Sequence, residues 1–181
     1  MVKRGTTDAD RQMSERSADG ATQVTSTTSQ TAIDDDGTRF IAFELANTIH
    51  AIPAEQVREV IGMVIITPLP DAPEWLSGVI NLRGTVVPVI DLRTRVGVTA
   101  RPFDLSTPIL IVEHDGRSIG LIADAIDQII TVAASAIQPP DALMRQSSLI
   151  ASVIRHGARL LVVMDIAAIC AGTEQFAAPS A

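Results

Sequence analysis

Two stretches of the chain, Phe43–Ile61, FELANTIHAIPAEQVREVI, and Ile111–Ile130, IVEHDGRSIGLIADAIDQII, follow one plan. Each runs as strand, polar turn, strand, short connection, and then a hydrophobic-x-x-hydrophobic-hydrophobic segment. Ile49 matches Ile119, Ala51 matches Leu121, and Val57-x-x-Val60-Ile61 matches Ile126-x-x-Ile129-Ile130, about 70 residues further on. A repeat of this size in 181 residues implies two similar halves, each too small to bury a full core alone. It predicts two small barrels packed face to face along a shared seam.

Outward from the repeat, strand and turn signals dominate. TRFIAFEL and IHAI flank Ala46-Asn47-Thr48, and GVINL and TVVPVIDL flank Arg83-Gly84. ILIVEH and SIGLIA flank Asp115-Gly116, and ASVIR and RLLVVMD flank His156-Gly157. Four hairpins rich in β-branched residues, with turns at short spacing, fit β-barrels and not a βαβ sheet. The predicted fold is therefore mainly β: two pseudo-symmetric five-stranded barrel subdomains with short helical segments. Helix signals are confined to AEQVREVI after Pro53, to APEW, and to DIAAIC near the end.

The ends differ from this middle. Residues 1–36 hold seven Thr and four Ser but only Val2, Val24 and Ile33 among the Val, Ile and Leu residues. They predict a disordered polar tail, bounded by Asp34-Asp35-Asp36-Gly37. The folded domain is expected over residues 37–171. Residues 172–181 are small and polar and are expected to form a flexible end.

Composition narrows the function. The chain is 46% hydrophobic and 19% charged, with a net charge of −7. An acidic surface argues against nucleic acid and anionic lipid as general partners. Aromatics make up 3%, with no Tyr, which argues against base stacking. The lone Cys170 excludes an internal disulfide, and no apolar run approaches the ~20 residues of a membrane span. MVKRGTTDAD lacks the apolar stretch of a secretory signal, so a soluble cytoplasmic protein is expected.

Reactive groups do not converge in the sequence. His50, His114 and His156 are far apart and stand in no metal-ligand spacing, and Cys170 sits on the apolar face of DIAAIC. There is no phosphate-cradling glycine loop and no nucleophile elbow. Asp124 and Asp127 are expected to be solvated or capping. No catalytic residue, metal or cofactor is expected. What remains points to binding: Arg83, at a hairpin tip where Gly84 meets the backbone demand; the apolar pairs Val57/Val60 and Ile126/Ile129, at equivalent places beside the seam; and sheet edges open to a partner.

GVINLRGTVVPVIDLR, Gly78 to Arg93, closely resembles the signature of the CheW family of chemotaxis coupling proteins and of the CheW-like domain of the kinase CheA. FIAFELANTIHAIPAEQVREVI resembles the family's opening hairpin and connection, and PLPDAPEWLSGVINLRG its approach to the signature. PILIVEHDGRSIGLIADAIDQII resembles its second half, with IQPP as the sequel, so the likeness spans Thr38 to Cys170. It implies two β-barrel subdomains and no catalytic activity. It also implies two partners, the cytoplasmic tips of chemoreceptors (methyl-accepting chemotaxis proteins) and the regulatory domain of CheA. By position, it assigns the receptor-binding groove to Val57, Glu59, Gly78, Arg83, Ile126 and Ile129. The chain carries neither an ATP-binding nor a receiver domain, so it resembles a stand-alone coupling protein.

Three other readings stay open at this stage. A paralogue of the family could couple receptors to an output other than chemotaxis. An enzyme could hold a small molecule in the seam, which predicts convergent titratable groups there. A free-standing β-module could self-associate through its edges.

Overall fold

The repeat becomes two sheets that exchange a strand. The computed structural model describes residues 37–142 and 144–176; the tail expected over residues 1–36 lies outside them. The strands are β1 (Thr38–Leu45), β2 (Thr48–Pro53), β3 (Val57–Gly62), β4 (Leu76–Leu82), β5 (Thr85–Asp91), β6 (Pro108–His114), β7 (Arg117–Ile122), β8 (Ala125–Val132), β9 (Ile137–Gln138), β10 (Ile150–His156) and β11 (Arg159–Met164). Helix α1 (Leu92–Arg95) follows β5, and α2 (Ile166–Cys170) follows β11. One sheet has the order β8-β1-β2-β11-β10-β9 and the other β3-β6-β7-β5-β4. Hairpin β1–β2 thus sends β3 into the second sheet, while hairpin β6–β7 sends β8 back into the first. The first sheet has six strands instead of the expected five because the two-residue β9 adds to its edge.

Three apolar clusters follow from this exchange. Phe40, Ala42, Ala51, Ile130, Ile154, Leu161 and Val163 fill the six-stranded half. Ile80, Val87, Val89, Ile109, Ile111 and Ile122 fill the five-stranded half. Between them lies a layer drawn from both sheets, including Ile41, Phe43, Leu45 and Ile52 with Leu110, Val112, Ile119 and Leu121. Successive residues of a strand point to opposite faces, so β1 and β6 are buried on both sides. That is why TRFIAFEL and PILIVEH read as near-continuous apolar runs. Each fully buried aliphatic side chain is worth about 1.5–3 kcal/mol, so a half stripped of the shared layer would lose a large part of its stabilisation.

The hydrophobic-x-x-hydrophobic spacing has a specific cause. In a regular strand, residues three apart point to opposite faces. On β3, Val57 faces Val112 and Glu59 faces Ile111, leaving Arg58 as an extra residue. On β8, Phe43 faces Ile126 and Ala42 faces Gln128, leaving Asp127 as the extra residue. Each is a β-bulge, which flips the strand's alternation and puts Val57 with Val60, and Ile126 with Ile129, on one face. Arg58 and Asp127 occupy equivalent places in the repeat. The helix signal in AEQVREVI is corrected by the same geometry: only Ala54–Gln56 makes a 3-10 turn, and the rest is strand.

Other expectations need correction too. APEW forms a turn closed by Leu76 N–H donating to the Pro73 carbonyl; its Trp75 ring carries the Arg95 guanidinium 4.1 Å from the ring centroid. The end of the domain stays packed beyond residue 171: Thr173 is buried, Phe176 packs against the shared layer, and Arg95 donates to the carbonyls of Ala168 and Ala171. The DIAAIC helix forms, capped by the Asp165 carboxylate accepting from Ala168 N–H. It buries Cys170, whose thiol burial pushes up to about 12, against the pull of Arg95. An inert core residue results.

Candidate partner-binding groove

The face of the first sheet that supplies Leu45, Phe43 and Ile41 to the shared layer runs on past the layer's end. Ile41 stands opposite Ile129, and Arg39 opposite Thr131. Directly opposite residues of an antiparallel pair share a face, so this row passes from buried Phe43 to an open strip. There Ile129 is 67% exposed and Ile126 37%, and Val60, on the other exchanged strand, 43%. A cavity of about 540 Å³ opens at this place, lined by Arg39, Ile41, Ala54, Glu55, Val57 and Ile129. Val57 from β3 and Ile129 from β8 therefore meet at one groove, where the strands exchanged between the sheets pass. The bulges at Arg58 and Asp127 are what turn these side chains toward it.

Not every residue assigned by resemblance lies there. Val57 and Ile129 line the cavity, and Ile126 shares their face through its pairing with Phe43. Glu59 and Arg83 sit elsewhere, joined by an ion pair of 2.8 Å. With Arg58, Leu82, Thr85, Val87 and Ser118 they line a second cavity of about 220 Å³ at one end of the five-stranded sheet. Past its bulge, Glu59 has turned to the face that carries Ile61 and the interior of that half. Arg83 is thus not a spare residue. Its guanidinium spans from the β4–β5 turn to the edge strand β3. Nor does Gly84 alone meet the turn's demand: Arg83 itself has φ 52°, beside Gly84 at 90°. Two successive left-handed residues are what a two-residue hairpin of this twist requires.

Gly78 is placed by backbone packing instead of by a partner. It is buried at φ 139°, and a Cβ there would lie 2.2 Å from the Thr67 carbonyl oxygen. Thr67 and Val79 exchange both backbone hydrogen bonds at 2.9 Å, closing the return of the chain against β4. Only glycine allows that approach.

Asp124, expected to be solvated or capping, accepts from a backbone N–H and is also the anchor of β8. Its carboxylate accepts from Arg93 Nε at 2.7 Å, from Arg93 Nη2, and from the Ala46 N–H at 2.8 Å, with Arg101 Nε 3.3 Å away. Burial works against its charge, yet the Arg93 hydrogen bonds, the Ala46 N–H and the two guanidinium charges together hold its carboxyl below the usual range. Its backbone N–H also donates to the Glu44 carbonyl. Arg93 is aimed by α1, whose first turn is capped by the Asp91 carboxylate. The sequence showed Asp124, but only the fold brings Arg93 to it. The groove residues that neither the repeat nor the resemblance pointed to include Arg39, which only strand register finds, and Ala54 and Glu55, which the turn after β2 brings in.

What lines the groove has little chemistry in it. Its floor is aliphatic, and among the described residues Arg39 and Glu55 are its only ionisable side chains. Its composition is that of a protein-binding surface, an apolar centre with charge at the rim, and not of a reactive site. Among the described residues no group of three or more His, Cys, Asp or Glu side chains is placed to hold a metal ion, and no helix is long and apolar enough to cross a membrane.

The comparisons with known proteins agree with this architecture. The CheW-like domain model matches residues 39–174. The chain belongs to the CheW family. It is 33% identical over 144 residues to the chemotaxis protein CheW of Rhizobium meliloti, covering 78% of this chain and 93% of that one. The chemotaxis protein CheW of Klebsiella aerogenes is 28% identical over 140 residues, covering 76% and 84%. Among solved structures, the scaffolding protein CheW of Thermoanaerobacter tengcongensis superposes with a TM-score of 0.67 at 30% identity, over 72% of this chain and 90% of that one. Membership in CheW places the chain among chemotaxis adaptors, and the two strand-exchanging sheets are the fold that goes with it.

Proposed function

We propose that this chain is a non-enzymatic coupling adaptor of the cytoplasm that joins chemoreceptor tips to the kinase CheA. The groove between the exchanged strands is its receptor face, and another face takes the kinase's regulatory domain. The observation that carries this reading is the aliphatic strip of Val60, Ile126 and Ile129, left exposed beside half-buried Val57 and aligned on one side by two equivalent bulges. A core would bury such residues, and an enzyme's seam would bring reactive groups together. An open strip of this kind fits the apolar face of a helix. Arg83, 73% exposed at its side chain, lies apart from this strip at the β4–β5 turn and is a separate, second contact.

The test is a pair of titrations of the full chain, against a receptor-tip fragment and against the regulatory domain of CheA, both from the same genome. Ile129→Asp should weaken receptor binding at least tenfold and leave kinase binding within twofold, because a carboxylate cannot be desolvated against an apolar partner. Loss of both, or of neither, would overturn the two-faced coupling.

A further inference from the structure

The arginines of this protein are mostly engaged. Arg58, Arg83, Arg93, Arg101 and Arg159 each lie against a carboxylate, and Arg95 and Arg117 donate to backbone carbonyls. Arg39 differs. It is exposed on β1, lines the groove cavity, and has no hydrogen-bond or ion-pair partner among the described residues. Its place is fixed by register: Arg39 pairs with Thr131 and Ile41 with Ile129. That puts Arg39 on the same face as Ile129 and diagonal to it, a separation of about 7–8 Å that a long side chain spans.

Glu55 lines the same cavity from the turn that follows β2, and it too is exposed and has no partner among the described residues. The groove therefore has an apolar floor, a positive side on β1 and a negative side at the 3-10 turn. A planar guanidinium with no partner among the described residues, beside an apolar anchor, is suited to a carboxylate brought in by a partner. On a helix, an aliphatic residue and an acid three or four positions apart face the same way. Glu55 repels that acid from the opposite side, so the two charges fix which way round the helix lies.

We infer that Arg39 is the specificity-determining charge of the groove, recognising a carboxylate one helical turn from the aliphatic side chain that covers Ile129. The inference rests on the groove being the receptor face. It goes further in naming the residue that reads the partner's charge and the chemistry it reads.

The experiment uses the full chain with Arg39→Glu, Arg39→Gln and Ile129→Ser, titrated against a soluble receptor-tip fragment from the same genome at 0.05 M and 0.3 M NaCl. Arg39→Glu should weaken binding about tenfold at low salt and distinctly less at high salt, since screening shortens the reach of an exposed charge. Arg39→Gln should fall in between. Melting temperatures should stay at the parent value, which a merely structural role would not allow. If Ile129→Ser weakens binding while Arg39→Glu stays within twofold, the groove stands and Arg39 is not its reader. An Arg39→Glu loss that is equal at both salt concentrations would equally overturn an electrostatic role. If neither Ile129→Ser nor Arg39→Glu changes binding, the receptor face lies elsewhere, and the assignment of Arg39 falls with it.

Discussion

The strands β3 and β8 occupy equivalent places in the repeat and carry equivalent bulges, yet they do different work. β3 alternates between half-buried and exposed residues along its length, and Val57 packs against the shared layer. β8 leaves five successive residues, Ala125 to Ile129, exposed before Ile130 and Val132 enter the core. The approaches to the two strands differ in the same sense. Glu55, two residues before Val57, is exposed and unpaired among the described residues, whereas Asp124, two residues before Ile126, is gripped by Arg93, Arg101 and the Ala46 N–H. A strand that contributes little of its own surface to the core must be held from its end. The first half secures its crossover by burial and the second by charge.

The largest test of that contrast is removal of the two equivalent acids. Asp124→Ala leaves the largely enclosed Arg93 guanidinium without its carboxylate, with the Thr99 carbonyl as a remaining acceptor, and frees the Ala46 N–H, which should cost about 3 kcal/mol in chemical denaturation. Glu55→Ala should change stability by less than about 0.5 kcal/mol. The pH dependence follows from the direction of the Asp124 shift. Its carboxyl is lowered in the folded state, so its contribution is complete above the unfolded value of about 3.9 and fades as the pH falls below it, through the folded pKa. The parent should therefore lose stability below about pH 4 more steeply than Asp124→Asn. Parallel acid transitions would show that the carboxylate is not what anchors β8.

A smaller effect separates Val57 from Ile129. Val57→Ala removes atoms packed on the shared layer and should cost about 1–2 kcal/mol. Ile129→Ala removes a largely exposed side chain and should cost under about 1 kcal/mol while weakening receptor binding about tenfold. Equal destabilisation at both positions, with binding unchanged in the folded fraction, would return Ile129 to the core and erase the difference between the strands.

Much of this was legible in the sequence, and what was not has definite physical causes. Hairpins declare themselves locally: Asn47, Gly84, Gly116 and Gly157 all take positive φ at the four turns. Val89 and Ile111, set in the middle of predicted strands, are fully buried. The repeat gave the two halves, because equivalent apolar positions three apart survive in both. It did not give the bulges directly, since the same spacing also suits a helix; hence the misreading of AEQVREVI. Long-range charge pairing is silent in one dimension. Nothing near Asp124 predicts Arg93, 31 positions away, and nothing near Arg83 predicts Glu59. Resemblance gathered six residues into one groove; the fold sets Glu59 apart by strand parity, which a bulge reverses, and Arg83 by its place in the β4–β5 turn.

The smallest effects concern two ion pairs that hold the exchanged strands to distant hairpin turns. Arg83 reaches Glu59 on β3 at 2.8 Å, and Arg159 reaches Asp127 on β8 at 3.0 Å. Both arginines are at least half as exposed as a free side chain or nearly so, at 73% and 46%, so solvent screens both pairs. Double-mutant cycles with alanine should give couplings of about 0.5 kcal/mol for each pair, shrinking further at 1 M salt, where the screening length is about 3 Å. Arg83→Ala should accordingly leave the melting temperature nearly unchanged, while receptor binding falls on the order of 2 kcal/mol, roughly 30-fold. Arg83→Gly should be slightly more stable than Arg83→Ala, because the left-handed φ at this position strains any residue with a Cβ. A coupling above about 2 kcal/mol in either cycle would mean that the pair acts as a desolvated latch, and that its strand is held from the far side as firmly as Asp124 holds β8.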